Sequence, residues 1–135
     1  MMNKRFKLLR NQKGLTLVEL LAVIVILGVI AAIAVPAIGG VISNSKTNAD
    51  VQSKELLKDT AVRYLYDVDP DGDGKDSAGT AITGLNVSAG TLTVSALVSS
   101  NYLKTAPAKQ TSTGNFATIT VTYSSGSGWK ATDAS

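Results

Sequence analysis

Asp69-x-Asp71-x-Asp73-Gly74 puts three carboxylates at alternate positions ahead of a glycine. This is the pattern of the first half of a calcium loop, where alternate oxygens converge on a hard cation and the glycine permits a sharp turn. Asp67 and Asp76 add two more carboxylates to the same stretch. The second half of the pattern is missing, because the twelfth position counted from Asp69 is Thr80, where a bidentate Glu would be needed. A count from Asp67 puts Lys75 at the ninth position, which is worse. A solvated acidic turn punctuated by Pro70, Gly72 and Gly74 uses the same residues equally well. A weak extracellular calcium site built from Asp69, Asp71, Asp73 and Asp67 and a plain turn are therefore both open. The other carboxylate placed for chemistry is Glu19, at the head of an apolar run. A charge within an apolar layer costs at least about 2.5–3.5 kcal/mol unless it is protonated or paired.

The chain of 135 residues contains no Cys and no His. Disulfides, thiolate zinc sites and His-dependent hydrolytic triads are excluded, and no nucleophile-base pair of the usual kind can be assembled. The expectation is a non-enzyme that requires no cofactor, calcium being the one candidate. The formal charge of +3 is misleading, because Lys4, Arg5, Lys7, Arg10 and Lys13 all precede Gly14 with no acid among them. From Leu15 onward the acids outnumber the bases, so the body of the chain has no basic face for phosphates.

The elements follow from periodicity. No residue from Leu20 to Ile42 is charged, and a bilayer core of about 30 Å needs roughly 20 such residues in a helix. The five cations on the N-terminal side predict a cytoplasmic N-terminus, with everything after Ile42 outside. Pro36 lacks an amide and crowds the preceding turn, so a kink or loosened helix is expected between about Gly28 and Gly40; membrane helices also accept Gly and Pro without a special role. Leu57, Ala61, Tyr64 and Leu65 recur at helical spacing and predict an amphipathic continuation to about Tyr66. A helix from Leu15 to Tyr66 would extend about 78 Å at 1.5 Å per residue, so its second half stands in water and needs a cover.

The Ser/Thr/Gly-rich segment after Tyr66 supplies that cover. Phe116 to Tyr123 alternates, with Ala117, Ile119, Val121 and Tyr123 on one face, and reads as a half-buried strand. Gly126-Ser127-Gly128 is a turn, and Trp129 opens a partner strand. Ala81-Ile82 and Leu85-Asn86-Val87 are weaker strands, and Ser95 to Leu103 reads as a short helix ended before Pro107. The fold class is α+β: a long N-terminal helix packed against a small antiparallel sheet.

Lys13-Gly14-Leu15-Thr16-Leu17-Val18-Glu19 resembles the prepilin cleavage and methylation motif of type IV pilins and the related pseudopilins: a basic leader ending in Gly, a hydrophobic first mature residue, and Glu at the fifth mature position. The match extends through Gly28 and Pro36 and covers about the first 50 residues. The resemblance implies that a prepilin peptidase cuts between Gly14 and Leu15 and methylates the new amine of Leu15. It implies four segments: a leader (1–14), an apolar membrane and filament-core helix (15–42), its amphipathic continuation (43–66), and a β head (67–135) with the acidic loop 67–76. Gly28 and Pro36 become a helix-melting hinge. Glu19 becomes the assembly carboxylate, paired with the Leu15 amine of its own chain or of the next. The family usually has Phe where Leu15 stands, and the missing Cys pair looks like a Gram-positive version.

The implied protein is a single-pass precursor in the cytoplasmic membrane that polymerises into a helical homo-oligomeric filament, a fimbrium on the cell surface. Its partners would be the peptidase, a membrane platform protein and an assembly ATPase, with DNA contacted only at the level of the filament. One alternative is a pseudopilin of a type II secretion or competence DNA-uptake apparatus. An alternative of another class is a secreted calcium-binding module released by signal peptidase after Ala34, where Ala32-Ile33-Ala34 fits the small-residue rule.

Overall fold

The computed structural model describes the backbone of residues 5–135 and the side chains of residues 16–135. In chain order the elements are α1 (Arg5–Val68), β1 (Leu85–Asn86), β2 (Thr91–Thr93), α2 (Val94–Ser99), β3 (Thr118–Ser124) and β4 (Gly128–Ala134). The chain divides into two units, one ending at Ser43 and one running from Asn44 to Ser135.

In the first unit α1 is unbroken through Gly28, Pro36, Gly39 and Gly40. The large apolar side chains from Leu17 to Ile42 are exposed. This segment makes α1 the one described helix long and apolar enough to cross a membrane.

In the second unit α1 runs to Val68, two residues beyond the sequence expectation. Pro70 explains the stop, because it disfavours the α conformation at Asp69 and donates no amide; the Asp69 N–H closes the last turn on the Leu65 carbonyl at 2.7 Å. Leu57, Ala61 and Leu65 are fully buried and Tyr64 nearly so, as the helical spacing requires. The sheet is antiparallel throughout, in the order β1-β2-β3-β4. Leu92, Ile119, Val121, Trp129 and Ala134 from the sheet join Val94, Ala96 and Leu97 from α2, with Ile82 and Phe116, in one core with the helix stripe. The layout is the expected α+β one, a long helix against a small antiparallel sheet.

Three sequence expectations need correction. β3 begins at Thr118, so the alternation expected to place Ala117 inside is out of phase there: Phe116 is the buried side chain and Ala117 is exposed. The Ala117 N–H instead bonds the Ser135 carbonyl at 2.7 Å. β2 had no counterpart in the sequence reading, although it is the strand that joins β1 to β3; three residues are too few to show a period of two. Ala81 makes only an isolated bridge with Lys75. α2 is also shorter than expected, ending at Ser99 because Asn101 takes a left-handed φ of 61° and turns the chain away.

The stripe on α1 continues backwards through two polar residues, Lys54 and Asp50. The Asp50 carboxylate accepts the Gln110 N–H at 2.6 Å, the Thr111 N–H at 3.0 Å and the Thr111 hydroxyl. Lys54 Nζ donates to Asp133 on β4 at 2.8 Å. These bonds hold both carboxyls below the ordinary value of 3.8: for Asp50 the Thr111 hydroxyl is the chief cause, and for Asp133 it is Lys54. With the folded values lower than the unfolded ones, the unfolded chain binds protons first as pH falls. Both groups therefore contribute stability above about pH 4 that is lost as pH drops through their folded values.

Two outcomes are expected for the soluble fragment from Asn44. Leu65→Ala should lower unfolding stability by about 2–5 kcal/mol in urea titration. Asp50→Asn should lower the urea midpoint at pH 6 and flatten its decline between pH 5 and pH 3.

Candidate functional site

Two places carry the chemistry read from the sequence, one in each unit. Gly14 and Leu15, the expected cleavage and methylation positions, lie outside the residues described with side chains. Glu19 is described. It is exposed on α1 between Val18 and Leu20, which are 68% and 60% exposed. Among the described residues no cation pairs with it. In a helix it stands one turn beyond Leu15, about 6 Å along the axis. A carboxylate so placed in an apolar surface is costly in an apolar layer unless it is protonated, paired with a cation or reaches the interface.

In the second unit the chain brings together Asp69, Asp71 and Asp73, with one carboxylate oxygen of each within 4.8 Å of the others. The three are not equivalent. Asp69 is fully buried, while Asp71 and Asp73 are exposed. Asp69 Oδ1 accepts the N–H groups of Gly72 at 2.7 Å and Asp73 at 3.1 Å, and Oδ2 accepts that of Gly74 at 2.8 Å. Gly72 and Gly74 take φ values of 77° and 80°, which let the backbone curl around the carboxylate. Gly72 also lies against the Tyr123 ring, where a Cβ would collide. The Asp69 carbonyl accepts the Trp129 indole N–H, which ties the loop to β4. Burial raises the Asp69 carboxyl above 3.8, opposed chiefly by the amides of Gly74 and Gly72. Its sign is opposite to that of Asp50: the folded chain takes up this proton more readily, so the stability it contributes declines as pH rises through the interval above 3.8.

Asp67 does not join the cluster, because its Oδ2 accepts the Tyr102 hydroxyl at 2.7 Å. That contact raises the Tyr102 pKa. Thr80 lies in a separate turn, where its N–H and that of Ala78 donate to Asp76 Oδ1 at 2.8 and 3.0 Å. The three clustered carboxylates could hold a hard cation, with Asp71 and Asp73 offering the freer oxygens. Without one, Asp69 already acts as the centre of the turn.

In the sequence Asp50 and Lys54 project near the stripe and read as its interruption; their pairing with Gln110, Thr111 and Asp133 was missed. Their helical spacing, four from Asp50 to Lys54, three to Leu57 and four to Ala61, was the available signal.

The two jobs of the loop separate by substitution. Asp69→Ala strands three backbone amides, so it should lower the melting temperature of the soluble fragment by several degrees without any metal. Asp71→Ala in the same buffer should leave it within about a degree, both read by circular dichroism.

Comparison with curated proteins and with solved structures gives no match. A family model does match, and it covers the apolar end of α1 with Glu19 inside it. Residues 9–35 carry the prokaryotic N-terminal methylation motif, the type IV prepilin-like signal.

Proposed function

We propose that this chain is a structural subunit of a type IV pilus or pilus-like filament. The observation that carries the reading is the methylation motif over residues 9–35, with Glu19 in register at the head of an exposed apolar helix. A prepilin peptidase cuts after Gly14 and methylates the amine of Leu15. The precursor waits in the cytoplasmic membrane with its N-terminus inside and is then drawn into an extracellular filament by a platform protein and an ATPase.

The physical argument runs through Glu19. Cleavage creates a cation at Leu15 on a surface otherwise without one. In a stack of axially displaced copies, the Glu19 carboxylate of one chain meets the Leu15 amine of the next and sets their register, while the Leu, Ile and Val surfaces supply adhesion. Gly28 and Pro36 are where α1 loosens as the helix is repacked. Calcium, where present outside the cell, binds Asp71 and Asp73 beside Asp69 and neutralises them; millimolar calcium should raise the melting temperature of the soluble fragment, and Asp71→Ala should abolish the rise.

A pseudopilin of a secretion or DNA-uptake apparatus has the same N-terminal requirements and differs in making a short fibre, so abundance on the cell surface separates the two. Intact mass tests the processing step. Loss of residues 1–14 with gain of one methyl group is expected, whereas loss of residues 1–34 would instead mark a secreted module. Glu19→Ala should be inserted and processed yet yield no extended filaments by electron microscopy, and normal filaments from that variant would refute the register role.

A further inference from the structure

The two ends of β2 carry complementary surfaces. Before it, the turn from Asn86 to Gly90 presents Val87, which is 50% exposed and flanked by exposed Ser88 and Ala89. Gly74 lies directly against Val87, so this apolar tip adjoins the acidic loop, where Asp71 and Asp73 are exposed. After β2, α2 forms one wall of an apolar groove of about 730 Å³, lined by Val94, Val98, Ala106, Phe116 and Ala117. Lys104 is exposed at its edge; Lys109, whose Nζ stands 5.5 Å from the centroid of the Phe116 ring, lines a separate pocket with Asp50. No carboxylate side chain lines the groove.

An apolar tip beside Asp71 and Asp73 and an apolar groove edged by Lys104 are complementary in charge, and they occupy different ends of one strand. A contact between different patches of identical subunits is heterologous, and repetition of such a contact builds an open polymer instead of a closed dimer. We infer that the groove beside α2 receives the Val87 turn of a second copy of this chain, with Asp71 and Asp73 of the incoming copy facing Lys104. The contact rests on the filament reading for the alignment of the copies. The charges fix orientation, weaken with salt and are lost where calcium neutralises Asp71 and Asp73, while the buried Val87 surface supplies adhesion.

The absence of native Cys makes the test direct. The full-length protein carrying both Val87→Cys and Val98→Cys, oxidised in the membrane and filament fractions, should run as a ladder of disulfide-linked dimers and higher species. Mixed single variants should stop at dimers, and Val87→Cys alone should stay monomeric. Adding Lys104→Glu should lose the ladder, and adding Asp71→Lys to that variant should restore it. Filaments without a ladder would overturn the contact and leave the filament reading standing. Dimers from Val87→Cys alone would overturn it in favour of a symmetric turn-to-turn contact. A ladder in cells that make no filaments would support the contact and sink the filament reading.

Discussion

The second half of α1 carries an apolar stripe that must be covered, and the second unit of this protein is organised around that covering. Leu57, Ala61, Tyr64 and Leu65 are supplied by α1, and every other element of the second unit contributes at least one side chain to the same core or packs against it. At about 25 cal/mol per Å² of apolar surface removed from water, this contact is the principal source of stability for a head without disulfides. The sheet is small because its inner face needs only to match one stripe of helix. Its outer face needs only to be wet, which is why Thr120, Thr122 and Lys130 stand exposed there.

Three aspartates complete the head by a different means. Asp50, Asp69 and Asp76 each accept two or more backbone N–H groups from a turn that has no strand or helix to satisfy them. Much of residues 69–117 lies outside regular structure, and buried amides without partners would be costly there. A carboxylate accepts several donors at once and so substitutes for a missing ladder. The acidic character of the loop is thus partly structural. Asp69 belongs to the core, and Asp71 and Asp73 belong to the surface, although the three alternate in one short motif.

The same residues explain what the sequence showed and what it hid. The stripe was legible from Leu57 onward because apolar side chains at helical spacing have few other uses. Lys54 and Asp50 end it in the sequence, since polar residues on an inner face read as interruptions. Their partners lie 79 and 60 or 61 residues away, and nothing local marks such a pairing. β3 and β4 were visible through alternation and the Gly126-Ser127-Gly128 turn, whereas β2 is strand only because β1 and β3 lie on either side of it.

The amino-acid order alone determined the properties that depend on neighbours along the chain: the uncharged run from Leu20 to Ile42, the Gly14 to Glu19 spacing, the helix stop at Asp69-Pro70, and the exclusion of Cys and His chemistry. Their physical basis is the helical period and the solvation of single residues, both of which operate over a few turns. Tertiary structure decided which of the three alternating aspartates is buried, which polar residues of α1 face inward, and that Phe116 takes the core position expected of Ala117. Those outcomes depend on contacts between segments far apart in the chain, where burial and hydrogen bonding are assigned by what the rest of the fold leaves unfilled.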